Sequence, residues 1–238
     1  MVFLYDKNAG DELLKINDFK HLKARRVQVS QRIDIRNLKN NYNYIYEITK
    51  ISKKEISLEL VFKHSLPKDE LFLSIAWAVV DPIVIEKTLP TLNEIGVKKI
   101  FFVYTEFSQK NFKLDIERFE RILINSSQQC GRNSIIEFEI YSSFDEFLTK
   151  FDNIALVDFG GEKIQNLNKN KIYFIGPEGG FSENERLKVK DRIGLNSHFI
   201  LKSNSAVVGI ASKILLWIWF FIFFIVKCKL ILNSKLKI

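Results

Sequence analysis

The order of apolar and polar residues divides the chain into two regions with different hydrophobic patterns. In the first region, apolar and polar positions alternate over residues 27–35, 42–51 and 56–62, with turn-forming residues at 39–41 and 52–54 between them. This period of two, in stretches rich in β-branched and aromatic residues, predicts strands that bury one face. The first region is therefore expected to form a small antiparallel β-barrel or sheet.

The second region has nearly continuous apolar runs, which are typical of strands buried on both faces. Between these runs, the spacing of apolar residues predicts two helices, and Gly96 follows the first of them as a candidate C-cap. Strands that alternate with helices indicate a parallel, layered α/β domain. The predicted strands are 71–77, 99–104, 154–158 and 171–175, and the predicted helices are 82–95 and 115–129.

Charge follows a similar division. The net charge is +8; residues 1–68 hold 14 Lys and Arg against 8 Asp and Glu, while residues 227–238 hold four lysines and no acid. We therefore expect a basic β domain over 1–68, an α/β domain over 69–226 and a basic tail over 227–238. The positive charge is densest over 20–39, which favours a phosphate-binding surface. The alternative is that lysine-rich faces only aid solubility.

The glycine-rich stretch from Ile175 to Glu185 carries the clearest chemical signal. It reads Ile-Gly-Pro-Glu-Gly-Gly-Phe-Ser-Glu-Asn-Glu, so a buried strand runs into three glycines and then into a Ser-x-x-Glu capping box formed by Ser182 and Glu185. A strand, a tight glycine loop and a helix start are how α/β folds present a ligand at the carboxyl end of a sheet. The alternative is a strand-to-helix turn that binds nothing.

The type of ligand is narrowed by what the loop lacks. The stretch has neither the Gly-Lys-Ser/Thr ending of a phosphate-binding loop nor the glycine spacing of a dinucleotide fingerprint. Glu178 would also repel a polyphosphate. A cationic or neutral ligand fits better, and a sulfonium methyl donor is one such ligand.

Cysteine and histidine content argues against a metal site. The two cysteines, Cys130 and Cys228, form no metal-binding pattern, and the three histidines are scattered. No secretory signal opens the chain, so we expect a cytoplasmic protein with no metal cofactor.

The sequence Gly-Pro-Glu-Gly-Gly-Phe-Ser-x-x-Glu resembles the signature of the SPOUT-class ribosomal RNA small subunit methyltransferase E family, the uridine-N3 methyltransferases. Three more stretches are similar to that family: the helix and following turn at 117–132, the Glu-Ile-Gly-Val turn at 94–100, and the Arg-rich front end at 21–36. The resemblance spans roughly residues 1–215.

The resemblance implies a PUA-like β-barrel followed by a SPOUT α/β domain with a C-terminal trefoil knot. It implies methylation of N3 of a specific uridine in small-subunit (16S) ribosomal RNA within the assembled 30S subunit, with S-adenosyl-L-methionine as donor. It also implies a homodimer. Two alternatives stay open: another SPOUT RNA methyltransferase, acting on a ribose 2′-oxygen or on tRNA, and a non-catalytic ribosome-binding protein.

The resemblance also implies roles for individual residues. Catalysis is expected to involve Arg132, Glu178 and Lys202, as a proton acceptor or as cations near the uracil oxygens. RNA binding is expected from His21, Arg25, Arg26 and Arg32. The expected donor-binding residues are Thr105, Ile175, Gly176, Glu178, Gly179, Gly180, Leu195, Asn196, Ile200 and Leu201.

The last motif departs from the family pattern. Lys202 stands in place of an arginine, which keeps the charge but loses the planar fork. Asn204 replaces a glutamate, so a general base cannot be carried over to that position, and Asn196 replaces a glycine. These changes question turnover more than donor binding.

An apolar stretch over residues 214–226 follows the last motif. Its thirteen residues are shorter than the roughly 20 that span a bilayer. We expect a buried helix at a dimer interface; a membrane anchor and an aberrant chain end are the alternatives.

Overall fold

The computed structural model describes residues 2–17, 22, 26–163, 168, 170–195 and 197–216. The described residues form two compact units. The first unit combines residues of Met1–Glu70 with Leu123–Ile135, and the second combines residues of Leu71–Ile122 with Ile136–Ile238. The domain boundaries after residues 68 and 226 stay a prediction.

The first unit contains a five-stranded sheet in the order β1-β3-β4-β5-β2. Strands β3, β4 and β5 are antiparallel neighbours, β2 is antiparallel to β5, and the short β1 runs parallel to β3. This arrangement confirms the predicted antiparallel pattern. The strands are β1 (Leu4–Tyr5), β2 (Leu13–Ile16), β3 (Arg32–Arg36), β4 (Tyr42–Ile51) and β5 (Ile56–Ser65).

The alternating residues of the first unit build its core. Ile35, Tyr46 and Ile48 are fully buried, and the buried Tyr46 hydroxyl is satisfied because it accepts from the Gly10 amide at 2.9 Å and donates to the Asp11 carbonyl at 2.7 Å. The strand predicted over 27–35 begins only at residue 32. Ser30, in the preceding turn, has φ of 67°, a left-handed conformation that breaks an extended strand.

The second unit is a six-stranded, all-parallel sheet in the order β11-β9-β10-β6-β7-β8. It confirms the predicted layered α/β architecture. The strands are β6 (Ser74–Ala78), β7 (Lys99–Val103), β8 (Glu137–Tyr141), β9 (Ile154–Lys163), β10 (Ile172–Ile175) and β11 (Asp191–Gly194). The helices are α1 (Pro82–Ile95), α2 (Ile116–Cys130), α3 (Phe144–Leu148), α4 (Glu183–Lys188) and α5, residues 203–216; residues 123–130 of α2 are counted with the first unit.

Local chemistry explains where helix α1 begins and ends. The Asp81 side chain accepts a hydrogen bond from the Ile83 amide at 2.8 Å, and Pro82 occupies the first turn, where a missing N–H costs nothing. Gly96 ends the helix with φ of 101°, the left-handed conformation that glycine adopts most easily. The predicted helix 82–95 and its glycine cap are confirmed.

Helix α5 presents an apolar stripe to the second unit. Val207, Ile210, Ala211 and Ile214 are buried at the spacing of one helical face. Of the apolar stretch 214–226, residues 217–226 lie outside the described residues, so the predicted interface helix is not tested. Within the described part of the chain, no helix is long and apolar enough to cross a membrane.

Candidate active site

A cavity of about 570 Å³ lies in the second unit, where strand β10 ends and β9 continues beyond it. Ile175, the last residue of β10, pairs with Val157 of β9 on one side and with Trp77 of β6 on the other. The cavity is therefore at the carboxyl ends of parallel strands, where open α/β sheets bind their ligands. Three segments and the start of α5 line it: residues 157–161, residues 175–178 with 180, residues 194–195 with 197–199 and 201, and Ser203 and Ala206.

The glycine loop forms one wall, and its geometry requires glycine. Gly180 has φ of 73°, and its amide donates to the Pro177 carbonyl at 2.9 Å, which closes a tight turn. A Cβ at Gly176 would lie 3.2 Å from the Phe181 ring and 3.3 Å from the Gly180 backbone. At these two glycines the loop therefore presents backbone to the cavity, while Pro177 and Glu178 contribute side chains.

Ser203 connects the glycine loop to strand β6 and helix α5. Its hydroxyl accepts a hydrogen bond from Trp77 Nε1 at 2.8 Å and donates to the Gly176 carbonyl at 2.6 Å. Both side chains are buried, so these bonds form without competition from water. These two hydrogen bonds hold the beginning of the glycine loop next to strand β6.

Glu185 connects the other end of the loop to the turn after strand β7. The predicted capping box is confirmed: the Glu185 carboxylate accepts from the Ser182 amide at 3.0 Å, and the Ser182 hydroxyl accepts from the Glu185 amide at 3.3 Å. The second carboxylate oxygen of Glu185 accepts from the Glu106 amide at 2.9 Å. One buried carboxylate thus ties the loop to residues 105–108.

Asp158 and Arg186 form a two-pronged ion pair beside the loop. Arg186 donates from Nε to Asp158 Oδ2 at 2.6 Å and from Nη2 to Oδ1 at 3.1 Å. The Asp158 side chain is 1% exposed. The hydrogen bond to Asp158 raises the pKa of Arg186 above its ordinary value, so Arg186 stays charged. Asp158 therefore lines the cavity with its negative charge compensated by Arg186.

Two further glycines allow strands β9 and β11 to approach closely. A Cβ at Gly161 would lie 2.5 Å from the backbone of Ile193, and a Cβ at Gly194 would lie 2.9 Å from the Gly161 carbonyl oxygen. The register of β11 against β9 shifts between Arg192 and Ile193 at this place. Any side chain here would separate the strands that form the far wall of the cavity.

The charges of the cavity wall favour a cationic or neutral ligand. Among the described residues that line it, Asp158 and Glu178 are acidic and none is Lys or Arg. Asp158 is neutralised by Arg186, which leaves the exposed Glu178 as the negative group of the wall. A polyphosphate would find no cation there. In the described part of the chain, no three His, Cys, Asp or Glu side chains are grouped to hold a metal ion.

The cavity brings together six of the predicted donor-binding residues. They come from two separate segments, residues 175–180 and 195–201, so the fold brings them together. These residues are Ile175, Gly176, Glu178, Gly180, Leu195 and Leu201.

Other predicted residues lie elsewhere or outside the described residues. Thr105 is buried and hydrogen-bonded to Ser108, and a Cβ at the exposed Gly179 would meet Phe107, so neither residue lines the cavity. Ile200 and Lys202 are exposed beside lining residues.

Arg132 is buried in the first unit, where its Nε donates to Ser134 Oγ at 3.1 Å. Asn196, His21 and Arg25 lie outside the described residues, and Arg26 and Arg32 are exposed. Their roles stay predictions.

The site also contains residues that the sequence reasoning missed. Asp158, Phe159, Gly160 and Gly161 form a whole wall, and Ser203 holds the loop. The wall had a signal in the sequence, since Asp158 ends the predicted buried strand 154–158 and two glycines follow within three positions. Arg186 had none, because its partner is 28 positions away.

Two domain families match the chain along most of its length. Residues 14–61 match the RNA methyltransferase PUA domain, and residues 67–215 match the RNA methyltransferase domain. Together with the parallel sheet and its cavity, these matches define the class: an RNA methyltransferase with a PUA-like unit and a SPOUT-type α/β unit.

Sequence relatives specify the family within that class. The chain is 41% identical over 226 residues to ribosomal RNA small subunit methyltransferase E of Helicobacter pylori, covering 89% of this chain and 98% of that protein. The enzyme of the same name from Mesomycoplasma hyopneumoniae is 26% identical, with 89% and 96% covered. The chain belongs to the ribosomal RNA small subunit methyltransferase E family.

Solved structures support the fold. A ribosomal RNA small subunit methyltransferase E from Neisseria gonorrhoeae, bound to S-adenosyl methionine, matches with a TM-score of 0.72 at 19% identity, covering 90% of this chain and 98% of that one. A Legionella pneumophila methyltransferase with bound S-adenosyl methionine matches with a TM-score of 0.73 at 21% identity, covering 89% and 95%. At these identities the likeness concerns the fold alone. The trefoil knot stays a prediction.

Proposed function

We propose that this chain uses S-adenosyl-L-methionine to methylate N3 of a specific uridine in small-subunit (16S) ribosomal RNA. The observation that carries the proposal is the cavity at the carboxyl end of β10, walled by a glycine loop that lies within the matched RNA methyltransferase domain. The experiment that tests it is the mapping of methylated nucleotides in small-subunit RNA from cells with and without the gene.

The residues of the cavity fit the proposed donor. Its volume of about 570 Å³ lies within the usual range of pockets for small ligands. Leu195, Leu201 and Ile175 offer apolar surface for an adenine ring, and the lack of a side chain at Gly176 and Gly180 lets a ligand approach the backbone of the loop closely. Glu178 supplies a negative charge, which suits a sulfonium cation. A nucleoside polyphosphate would meet that carboxylate without a compensating cation.

The proposed chemistry needs a proton acceptor and a stabilised anion. When bound, S-adenosyl-L-methionine supplies an electrophilic methyl group. Uracil N3 must lose its proton to become nucleophilic, and the resulting charge spreads over the O2 and O4 atoms. We assign Glu178 as the candidate acceptor, since it is exposed at the cavity wall. Lys202, exposed between two cavity-lining residues, is the proposed cation for the two oxygens. The catalytic role of Arg132, which is buried in the first unit, stays a prediction.

The first unit is the proposed RNA-binding part. Its basic stretch includes Arg26 and Arg32, which are both exposed. Arg32 is paired with Glu47 at 3.4 Å, but its side chain is 58% exposed. Because surface ion pairs contribute about 0–1 kcal/mol, a phosphate can replace this carboxylate at little cost. Arg36 lies in the same stretch but is used differently: it stacks on Phe3 and donates to the Gly131 carbonyl at 3.0 Å.

Replacing Arg26 and Arg32 together with alanine should weaken RNA binding and make it less sensitive to salt. Each lost phosphate contact lowers the slope of log affinity against log salt by roughly 0.7–0.9, because fewer counterions are released. Fluorescence anisotropy with a labelled fragment of small-subunit RNA at several salt concentrations measures the slope. A variant with Lys7 and Lys15 replaced by alanine loses the same charge from elsewhere in the unit. Equal slopes for both variants would show that the arginine face does not meet phosphate.

We also infer a homodimer acting on the assembled 30S subunit in the cytoplasm. The support for a second copy is apolar surface beside the cavity: Phe199 is 82% exposed and Ile200 is 81% exposed. Exposed apolar side chains this close together favour a partner that covers them. The proposed substrate explains the location, because ribosomal subunits occupy the cytoplasm of a bacterial cell.

A further inference from the structure

The glycine loop is attached at both ends to two consecutive residues of strand β9. At its beginning, Ile175 pairs with Val157 through the backbone. At its end, helix α4 carries Arg186, whose guanidinium donates two hydrogen bonds to the Asp158 carboxylate, at 2.6 and 3.1 Å. The first attachment belongs to the sheet and is independent of side-chain identity. The second depends entirely on two side chains.

The second attachment acts close to the ligand wall. Asp158 lines the cavity and its side chain is 1% exposed. Its Oδ1 atom also accepts from the Phe159 amide at 2.9 Å, which fixes the backbone of the next lining residue. On the opposite side, a Cβ at Gly180 would lie 3.5 Å from Arg186 Nη2 and 4.0 Å from Asp158 Oδ1. The pair is therefore wedged between the two walls of the cavity.

The geometry points to Arg186 and Asp158 as a positioning pair that holds the glycine loop in its donor-binding shape. This inference rests on the proposed function, since it concerns the same donor cavity. Arg186 does not line the cavity, so it acts through Asp158 and Gly180 rather than by touching the donor. The capping box and the Glu185 link fix the helix start to its own loop and to Glu106, but neither connects it to β9.

The bidentate form of the pair matters for its proposed role. Two parallel hydrogen bonds fix the orientation of α4 relative to β9, whereas a single point contact would let the helix pivot. Lysine keeps the charge but cannot make the fork. Arg186→Lys should therefore leave the buried carboxylate neutralised and still loosen the loop, which separates positioning from simple charge compensation.

The test is calorimetric titration of S-adenosyl-L-methionine into the full chain and its variants, with melting curves of each. We expect Arg186→Lys to bind the donor about tenfold more weakly, in line with the loss of one charge-assisted hydrogen bond, and to melt close to the wild type. Because Arg186→Gln leaves a buried unpaired carboxylate, it can fail to fold. The double variant Asp158→Asn with Arg186→Gln removes that charge. It should melt near the wild type yet still bind weakly.

Lys188→Gln provides the matched control. Lys188 lies on the same helix and pairs with Asp145 at 2.5 Å, but that pair is exposed and does not touch the cavity. We expect its donor affinity to equal that of the wild type. Hydrogen exchange of amides 178–182 should be faster in Arg186→Lys and unchanged in Lys188→Gln, a readout that is independent of activity.

Two results would overturn the inference, and a third concerns the proposed function. Wild-type donor affinity in both Arg186→Lys and the double variant would show that the pair does not position the loop. Affinity losses that only follow melting temperature, with unchanged exchange at 178–182, would reduce the pair to a structural contact. If the wild-type chain itself does not bind the donor, the proposed function fails, and with it the basis of this inference.

Discussion

Replacing Gly180 with valine will weaken binding of S-adenosyl-L-methionine by a factor on the order of 100, while the chain still folds. Gly180 has φ of 73°, and a residue with a Cβ costs about 1–2 kcal/mol in this conformation, or roughly tenfold in an equilibrium constant. The branches of valine would also press on Arg186, whose guanidinium is fixed by Asp158. The loop must move away from its donor-binding shape to relieve both effects. Calorimetry gives the affinity.

Gly179→Ala is the matched control for Gly180→Val. Gly179 is the neighbouring glycine but does not line the cavity, and a Cβ there would meet the Phe107 side chain at 3.4 Å, which is close to an ordinary contact. We expect its donor affinity to stay within about threefold of the wild type, or less than 1 kcal/mol. A strong loss for Gly179→Ala with little effect for Gly180→Val would reverse our assignment of which face of the loop meets the donor.

Replacing Lys202 with alanine should slow methyl transfer by roughly 10²–10³, whereas Lys202→Arg should retain most of the activity. Lys202 stands between two cavity-lining residues, Leu201 and Ser203, and its side chain is exposed and able to reach a substrate. The developing uracil anion is spread over two oxygens, so a positive charge matters more than its shape. Losing one preorganised electrostatic contact in a transition state typically costs this much. A radiolabelled transfer assay on small subunits measures the rates.

Donor affinity separates a role for Lys202 in the reaction from a role in binding. Because Lys202 does not line the cavity, both variants should bind S-adenosyl-L-methionine as the wild type does. Equal transfer rates for Lys202→Ala and the wild type would remove Lys202 from the reaction. If the wild type binds the donor and transfers no methyl group, the altered motif that includes Asn204 favours the non-catalytic ribosome-binding alternative.

The central elements of both sheets could be predicted from sequence because each carries a complete local signal. Strand β4 alternates at its centre, where Tyr44, Tyr46 and Ile48 are buried, strands β6 and β7 are nearly continuous apolar runs, and α1 has a proline start and a glycine end. Strand β11 could not be predicted. Its residues, Asp191–Gly194, are exposed or half-buried and have no apolar period, and the strand exists because glycines let it pair closely with β9. Strand β11 therefore depends on tertiary packing and carries no local signal in the sequence.

The same contrast holds for the site. The glycine loop was readable because the buried strand, the positive-φ glycine and the capping box are contiguous. The wall at 157–161 was not predicted although Asp158 ends a predicted strand, because the expected donor-binding residues follow strands 99–104 and 171–175 or lie at 195–201. Arg186 and Ser203 were beyond reach, because their roles come from partners 28 and 126 positions away.

Charge alone does not predict which arginines of the basic stretch are available to bind RNA. Arg36 belongs to the basic stretch, yet within the first unit its guanidinium stacks on Phe3 and donates hydrogen bonds to Asn43 and to the Gly131 carbonyl. Partial burial lowers its pKa from the ordinary value, which marks a structural cation rather than one displayed to solvent. Arg32, four positions earlier, keeps an exposed side chain. The two arginines have different strand partners: Arg36 lies opposite Tyr5 of β1, whereas Arg32 lies opposite Glu47 of β4.

Mass spectrometric mapping of methylated nucleotides in small-subunit ribosomal RNA, from cells with and without this gene, is the decisive test of the proposed function. We expect one uridine to carry a methyl group on N3 in the presence of the gene and none in its absence. We also expect the modification to return when the wild-type chain is supplied, but not when Gly180→Val is supplied. Identical uridine modification in both cells, or loss of a ribose 2′-O-methyl or a tRNA methyl group instead, would contradict the proposed function.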